Sequence, residues 1–361
     1  MKIPSFKLGD LQVKVPIIQG GMGVGVSLAK LAAAVANEGG IGIISGAQPG
    51  FKEEDFKTDN DGANVRGLAK EIQEARRLSP EGIIGVNFLA AAHNYKELVL
   101  AAVKEKADLI ISGAGLPSTL PGLVKGSETK IAPIVSSGKA AKTIAKVWDR
   151  KFNYLPDAVI VEGPEAGGHL GFSPEDLEKT PMPDLRAIVS EVIEALKPFE
   201  EKYERKVPVI AAGGIYDGKD IASYLKLGAA GVQMATRFVA TDECDAHINF
   251  KQAYVDATAE DITIIKSPVG LPGRALLNNF VKRTYKENIP VTRCYLCLKH
   301  CNPADTPYCI TDALVASVEG DVDNGLVFMG SNANRVDKIV SVKELMNELV
   351  TETESFLDDL V

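Results

Sequence analysis

From Pro16 to Val239, short continuous apolar runs alternate with longer stretches of helical spacing. The runs are VPIIQGG, IGIISGA, IIGVNFLA, DLIISGAG, IAPIVSS, DAVIVEG, VPVIAAGG and AGVQMATRFV. None shows the apolar–polar alternation of a strand with one wet face, so each predicts a strand buried on both faces. SLAKLAAAVANEGG predicts a helix with Ser27 as its N-cap and a stop at Gly39-Gly40. A polar loop from Gln48 to Asn64 precedes the helical RGLAKEIQEARRL. YKELVLAAVKEK, KAAKTIAKVWDR, DLRAIVSEVIEALKPFEEKYE and GKDIASYLKLG supply further helices, the last opened by Asp217 as N-cap. Eight buried strands separated by helices over roughly 230 residues predict an α/β fold, the (β/α)8 or TIM barrel. A doubly wound open sheet would need a dinucleotide-type first turn, and GGMGVG has the wrong glycine spacing for it.

The ends of the chain read differently. FKLGDLQVKVP predicts a hairpin turning at Gly9-Asp10. After Val239 the rhythm breaks into mixed helices and loops with a cysteine-rich segment. The tail SVKELMNELVTETESFLDDLV predicts an amphipathic, acidic helix packed on the barrel by one face. The expected organisation is a barrel over 1–240, a smaller C-terminal subdomain forming a substrate or lid region over 241–340, and the packed helix over 341–361.

Function in such a barrel sits at the C-terminal ends of the strands. Here those ends are small, glycine-rich or amide-bearing: QGGMG, Asn87, SGAG, EGPEAGGH, AAGG and QMATR. Glycine lets backbone approach a flat or phosphorylated ligand closely. Gly213 and Gly214 after the seventh strand, with Ala235 and Thr236 after the eighth, match the common phosphate position of these barrels. Asn87 and Gln233 end otherwise apolar strands, where a buried amide needs a partner. His169 lies on a glycine-rich bend after the sixth strand and is the candidate acid or base, with Glu162 and Glu165 close in sequence. His93 and His247 suit capping or packing equally well.

Composition narrows the partners. The chain has 361 residues, 45% hydrophobic and 24% charged, with a net charge of −8. That balance argues against nucleic acid or an anionic membrane as partner. No run is long enough to span a bilayer and the N-terminus has no secretory apolar core. A cytoplasmic protein acting on small molecules is expected; a homodimer is allowed by the sequence and not required by it.

PIIQGGM, GVNFL, EGPEAGGHLG, VPVIAAGGIYDG and GVQMATRFVATDECDAH together resemble the nitronate monooxygenase family, formerly the 2-nitropropane dioxygenases. That family also holds FMN-dependent enoyl-acyl-carrier-protein reductases. The resemblance implies an FMN-binding barrel over about Pro16 to Val281. It implies contacts to FMN from Gly21, Met22, Asn87, Glu162 and Gly168. It also implies a phosphate held around Gly213, Gly214, Gln233, Ala235 and Thr236. His169 matches the family's active-site histidine. The implied reaction is oxidation of an alkyl nitronate with O2 to a carbonyl compound and nitrite. The alternative is NAD(P)H-dependent reduction of an enoyl thioester.

Cys294, Cys297, Cys301 and Cys309 follow the spacing C-x2-C-x3-C-x7-C. Thiolates this close in sequence can ligate zinc or an iron–sulfur cluster, or can simply pack a small subdomain. Cys244 stands apart.

Overall fold

The chain is described over residues 2–358 of a computed structural model. Phe6–Leu8 (β1) and Leu11–Val13 (β2) form the antiparallel hairpin, turning at Gly9 and Asp10. The eight apolar runs then form Ile17–Gln19 (β3), Ile41–Ser45 (β4), Ile83–Leu89 (β5), Leu109–Gly113 (β6), Lys130–Val135 (β7), Val159–Glu162 (β8), Val209–Ala212 (β10) and Gly231–Met234 (β11). A two-residue strand, Gly168–His169 (β9), interrupts the series. The eight close into one parallel barrel in chain order, β11 pairing back onto β3.

Successive residues of these strands face opposite ways, which explains their unbroken hydrophobicity. Ile18, Ile41, Ile43, Ile111, Ile160 and Ile210 pack inside the barrel, with Leu8 and Val13 of the hairpin closing its N-terminal end. Ile17, Ile44, Ile84, Val86 and Ile131 point outward into the helical shell. Gln19 is fully buried at the thin β3–β4 junction. Its side-chain amide accepts from Ile43 N at 3.0 Å and donates to Ile43 O at 3.2 Å, replacing ladder bonds the short strand does not make.

The long helices fall where expected, with two differences, and Thr236–Val239, read as the end of a strand, is a short helix. The helix Ala29–Asn37 is not capped by Ser27, whose hydroxyl accepts from Met22 N instead. Its first N–H groups are satisfied from afar: Leu28 N donates to Asp245 Oδ2 and Ala29 N to Glu71 Oε2. Residues 60–64 are helical rather than loop, because Asp59 caps a helix running Asn60–Leu78. Asp217 caps Gly218–Leu227 through a complete capping box, as expected.

Segment 241–340 contains more sheet than its sequence suggests. Ile262–Lys266 (β12) and Pro272–Leu276 (β13) form a hairpin, and β13 pairs antiparallel with β9 of the barrel loop. Phe250, Tyr254, Tyr295, Val318, Val327 and Met329 join the same hydrophobic cluster as the barrel shell. The tail forms the helix Val342–Asp358, packed on the helices Gly218–Leu227 and Ala29–Asn37. Val342, Leu345, Met346 and Leu349 are its buried face. The last part of the expected helix, 359–361, lies outside the described residues. Among the described residues no helix is long and apolar enough to cross a membrane.

Candidate active site

A cavity of about 270 Å³ opens where the C-terminal ends of the barrel strands meet segment 241–340. Its wall contains His169 and all ten residues expected to contact FMN: Gly21, Met22, Asn87, Glu162, Gly168, Gly213, Gly214, Gln233, Ala235 and Thr236. The barrel explains the convergence, because parallel strands in closed order bring every strand end to one rim.

The glycines of this wall are held in close packing against neighbouring protein, and the mixed polar and apolar lining leaves some polar atoms unpaired. A Cβ on Gly21 would collide with Asn87 Cβ, and one on Gly167 would lie 2.6 Å from the Met329 carbonyl carbon. Gly214 combines a φ of +80° with a Cβ position 2.5 Å from Glu165 Oε2, so only glycine fits that turn. Three buried amide atoms on the wall have no protein partner: Asn94 Nδ2, Gln233 Oε1 and Asn332 Nδ2. Buried polar atoms in native proteins are almost always paired, so this set points to a ligand with its own donors and acceptors.

His169 is positioned by both parts of the molecule. β8 and the glycine bend deliver it from the barrel; pairing with Gly273 fixes its backbone to the β12–β13 hairpin. Its Nε2 lies 2.7 Å from Ser267 Oγ, and its ring meets Phe328 edge-on with centroids 5.0 Å apart. Among the described residues Nδ1 has no hydrogen-bond partner. The polar partner is thus a hydroxyl and not a carboxylate, contrary to the expectation from Glu162 and Glu165, because β9 turns the ring toward the hairpin. Crowding by protein pushes the imidazole down to about 4, so it is neutral at pH 7. Burial likewise pushes Glu162 up to about 7, with no hydrogen bond to offset it.

The intervening loop is held by Arg274, which is buried and donates from Nη1 to Pro164 O at 2.7 Å and Ala166 O at 2.6 Å. Ser331 N donates to Glu165 O at 3.1 Å from the other side. Arg274, Ser267, Phe328, Asn94 and Asn332 are site residues that the strand-end reading does not reach. The alternating ITIIK and PGRAL around SPVGL are the signal that would have found the hairpin carrying two of them.

The four clustered thiols lie near one another: beyond burial, Cys301 and Cys294 push the Cys297 thiol up, and Cys297 does the same to Cys309. All are free, and among the described residues no group of three or more His, Cys, Asp or Glu side chains lies in ligating reach. Leu296, at a φ of +51°, turns the chain between the first two thiols. Cys294 is left exposed, its sulfur accepting from Leu296 N, whereas Cys297 faces the cavity. Cys309 opens the helix Ile310–Val318. Cys244 is buried, its thiol donating to Val26 O at 3.4 Å. His247 caps the helix Ile248–Val255 through Nδ1.

A parallel barrel with a ligand-shaped rim, a neutral histidine and a protonatable carboxyl has the makings of a barrel enzyme working on a bound organic group. The description of the nitronate monooxygenase family matches residues 5–352, and the chain belongs to that family of FMN-dependent oxidoreductases. A probable nitronate monooxygenase of Staphylococcus saprophyticus is 28% identical across 80% of this chain and 84% of its own. A (3aS,4S,5R,7aS)-5-hydroxy-7a-methyl-1-oxo-octahydro-1H-indene-4-carboxyl-CoA dehydrogenase of Rhodococcus jostii is 29% identical. The match to it covers 74% of this chain and spans 64% of that protein's length. Among solved structures, FabK from Thermotoga maritima superposes with a TM-score of 0.74 at 29% identity, covering 96% of this chain and 95% of its own.

The residues present fit FMN. Gly21, Gly167, Gly168, Gly213 and Gly214 line the cavity without side chains, and the orphaned amides of Gln233, Asn94 and Asn332 offer hydrogen bonds to heteroatoms.

Proposed function

We propose that the chain is an FMN-dependent oxidoreductase of the nitronate monooxygenase type, oxidising alkyl nitronates with O2 to a carbonyl compound and nitrite. The carrying observation is a neutral His169 on the wall of the cavity that the ten cofactor candidates line. When bound, FMN supplies the electron chemistry, and the protein binds, orients and polarises. Gly213, Gly214, Ala235 and Thr236 would hold its phosphate, and Gly21, Met22, Asn87, Glu162, Gly168 and Gln233 its remaining contacts. His169 would present Nδ1 to the substrate head. A neutral imidazole can donate a hydrogen bond to an anionic nitronate or accept a proton, without burying a charge of its own. Ser267 fixes the ring so that only one nitrogen is exchangeable. Segment 241–340 excludes water from the cavity.

A second reading is an enoyl thioester reductase using NAD(P)H. The likeness to a protein named as a carboxyl-CoA dehydrogenase supports it, since that substrate is a thioester. Anaerobic stopped-flow separates the two. Bleaching of the flavin's visible absorbance by an alkyl nitronate, and not by NADH or NADPH, is the expected result. Rapid bleaching by a reduced nicotinamide, with reoxidation by an enoyl thioester and none by nitronate, would overturn the first reading in favour of the second. A colourless protein that takes up no FMN would overturn both.

A further inference from the structure

The cysteine-rich segment has no part in the reaction proposed above, yet the fold gathers it at the cavity. Cys294, Cys297 and Cys301 lie on a stretch without helix or strand, apart from a single bridge between Leu298 and Ala92. Cys309 stands at the N-terminus of the helix Ile310–Val318. The stretch is fastened to the barrel beyond the end of β5. His93 N donates to Cys297 O at 3.1 Å and Lys299 N to Ala91 O at 3.1 Å, while Lys299 Nζ donates to Ala90 O at 2.9 Å.

Packing does not account for these thiols. Cys294 is exposed, Cys297, Cys301 and Cys309 are half-buried, and all four are free. An exposed thiol fills no core, unlike that of the buried Cys244. Cys297 is the hub, within electrostatic reach of Cys294, Cys301 and Cys309. Donors also face the sulfurs. Leu296 N donates to Cys294 Sγ at 3.4 Å, the Thr311 hydroxyl lies at the Cys297 thiol, and the Asp312 N–H lies at the Cys309 thiol. Each favours the thiolate, which is the form that binds metal, and Cys309 has the positive end of its helix beside it. A single zinc ion would need every sulfur about 2.3 Å from one point. Among the described residues no three ligating side chains meet one ion in that way. A cubane cluster has an iron at each corner, so its four thiolates stand farther apart than the ligands of one ion.

We propose that Cys294, Cys297, Cys301 and Cys309 bind a 4Fe–4S cluster, one thiolate to each iron. Binding a preassembled cluster forms four iron–sulfur bonds, releases the four thiol protons and leaves the oxidation state unchanged. The site lies where Cys297 meets the cavity wall beside Leu298, Ile310 and Thr311. One edge of the cluster therefore adjoins the chamber assigned to FMN, and the edge at Cys294 faces solvent. The site is independent of which reaction His169 serves.

The test uses the full chain purified without oxygen. Iron and acid-labile sulfide should each reach about four per chain, and absorbance near about 400 nm should bleach with dithionite. The bleached sample should give the electron paramagnetic resonance signal of a reduced cluster, which fully reduced flavin does not give. Protein that arrives without iron is first treated anaerobically with equal amounts of ferrous and ferric salts and matching sulfide, which together compose the oxidised cluster. The double variant Cys294→Ala/Cys301→Ala should fall below about one iron per chain with flavin content unchanged, whereas Cys244→Ser should keep both. If the double variant fails to fold, the wild type decides alone. Its four clustered thiols should resist iodoacetamide while iron is bound and react once a chelator has removed it. Iron below about one per chain in treated wild type, zinc in its place, or full iron in the double variant would overturn the proposal. Free alkylation of the four thiols in iron-loaded protein would overturn it as well.

Discussion

Replacing Glu162 by Gln should stabilise the flavin-free protein at high pH and barely change it at low pH. The carboxyl ends β8, faces the cavity and has no hydrogen bond, and burial raises it from its ordinary 4.5 to about 7. A carboxyl raised that far costs the folded state up to about 3 kcal/mol once it is ionised in both states. The folded protein binds more protons than the unfolded chain between those two values. The stability associated with Glu162 is therefore complete below pH 4.5, declines as pH rises toward 7, and is lost above it. Gln copies the protonated carboxyl and does not titrate. His169 has the opposite sign: its value is lowered to about 4, so its neutral form favours the fold above its ordinary 6.5 and is penalised as pH falls toward 4. That contribution is present in both proteins and cancels in their difference. Urea unfolding at about pH 5 and about pH 8.5 should show the variant's advantage growing by about 2.5 kcal/mol between them. An advantage of the same size at both values would refute the argument, because it would reflect packing and not the ionisation of a buried acid.

Other substitutions test the remaining parts of the site. His169→Ala should keep FMN, read from bound absorbance, and lose about a hundredfold or more in kcat. Ser267→Ala removes the hydrogen bond to Nε2 at 2.7 Å. It should lower kcat about fivefold, the value of one hydrogen bond, and shift the pH profile, with Ser267→Thr restoring both. Arg274→Met strands the Pro164 and Ala166 carbonyls and should cost about 3 kcal/mol in urea unfolding. Gly21→Ala forces its Cβ against Asn87; lost FMN binding by fluorescence titration and about 1–3 kcal/mol of destabilisation are expected.

The barrel and its rim were legible for one physical reason. A parallel strand buried on both faces is an unbroken apolar run, so its C-terminal end can be located to within a residue or two, and barrel closure turns those ends into neighbours. That is why Gly21, Asn87, Glu162, Gly213 and Thr236, spread over more than half the chain, line one cavity. What stayed hidden depends on long-range partners. β13 pairs with β9 across about a hundred residues, a register that no local pattern encodes. The helix Ala29–Asn37 is capped by Asp245 and Glu71, not by the adjacent Ser27, because distant carboxylate acceptors take its first N–H groups while the Ser27 hydroxyl accepts from Met22 N. Cysteine spacing reports nearness along the chain but not the arrangement of the thiols, whose exposure differs from an exposed Cys294 to half-buried Cys297, Cys301 and Cys309.

The site is divided between two structural parts with different duties. The barrel supplies the glycine cradle and Glu162; segment 241–340 supplies Ser267, Phe328, Arg274 and Asn332. His169 belongs to the barrel by sequence but to the hairpin by hydrogen bonding, since a two-residue strand has no stability of its own and borrows it from β13. Its orientation therefore exists only while the two parts are docked. The shared hydrophobic cluster makes that docking part of the folded state and not a later event. Water exclusion and histidine alignment then arise from the same contacts, so a variant that loosens the hairpin should lose both together, whereas one that alters the cradle should lose cofactor first.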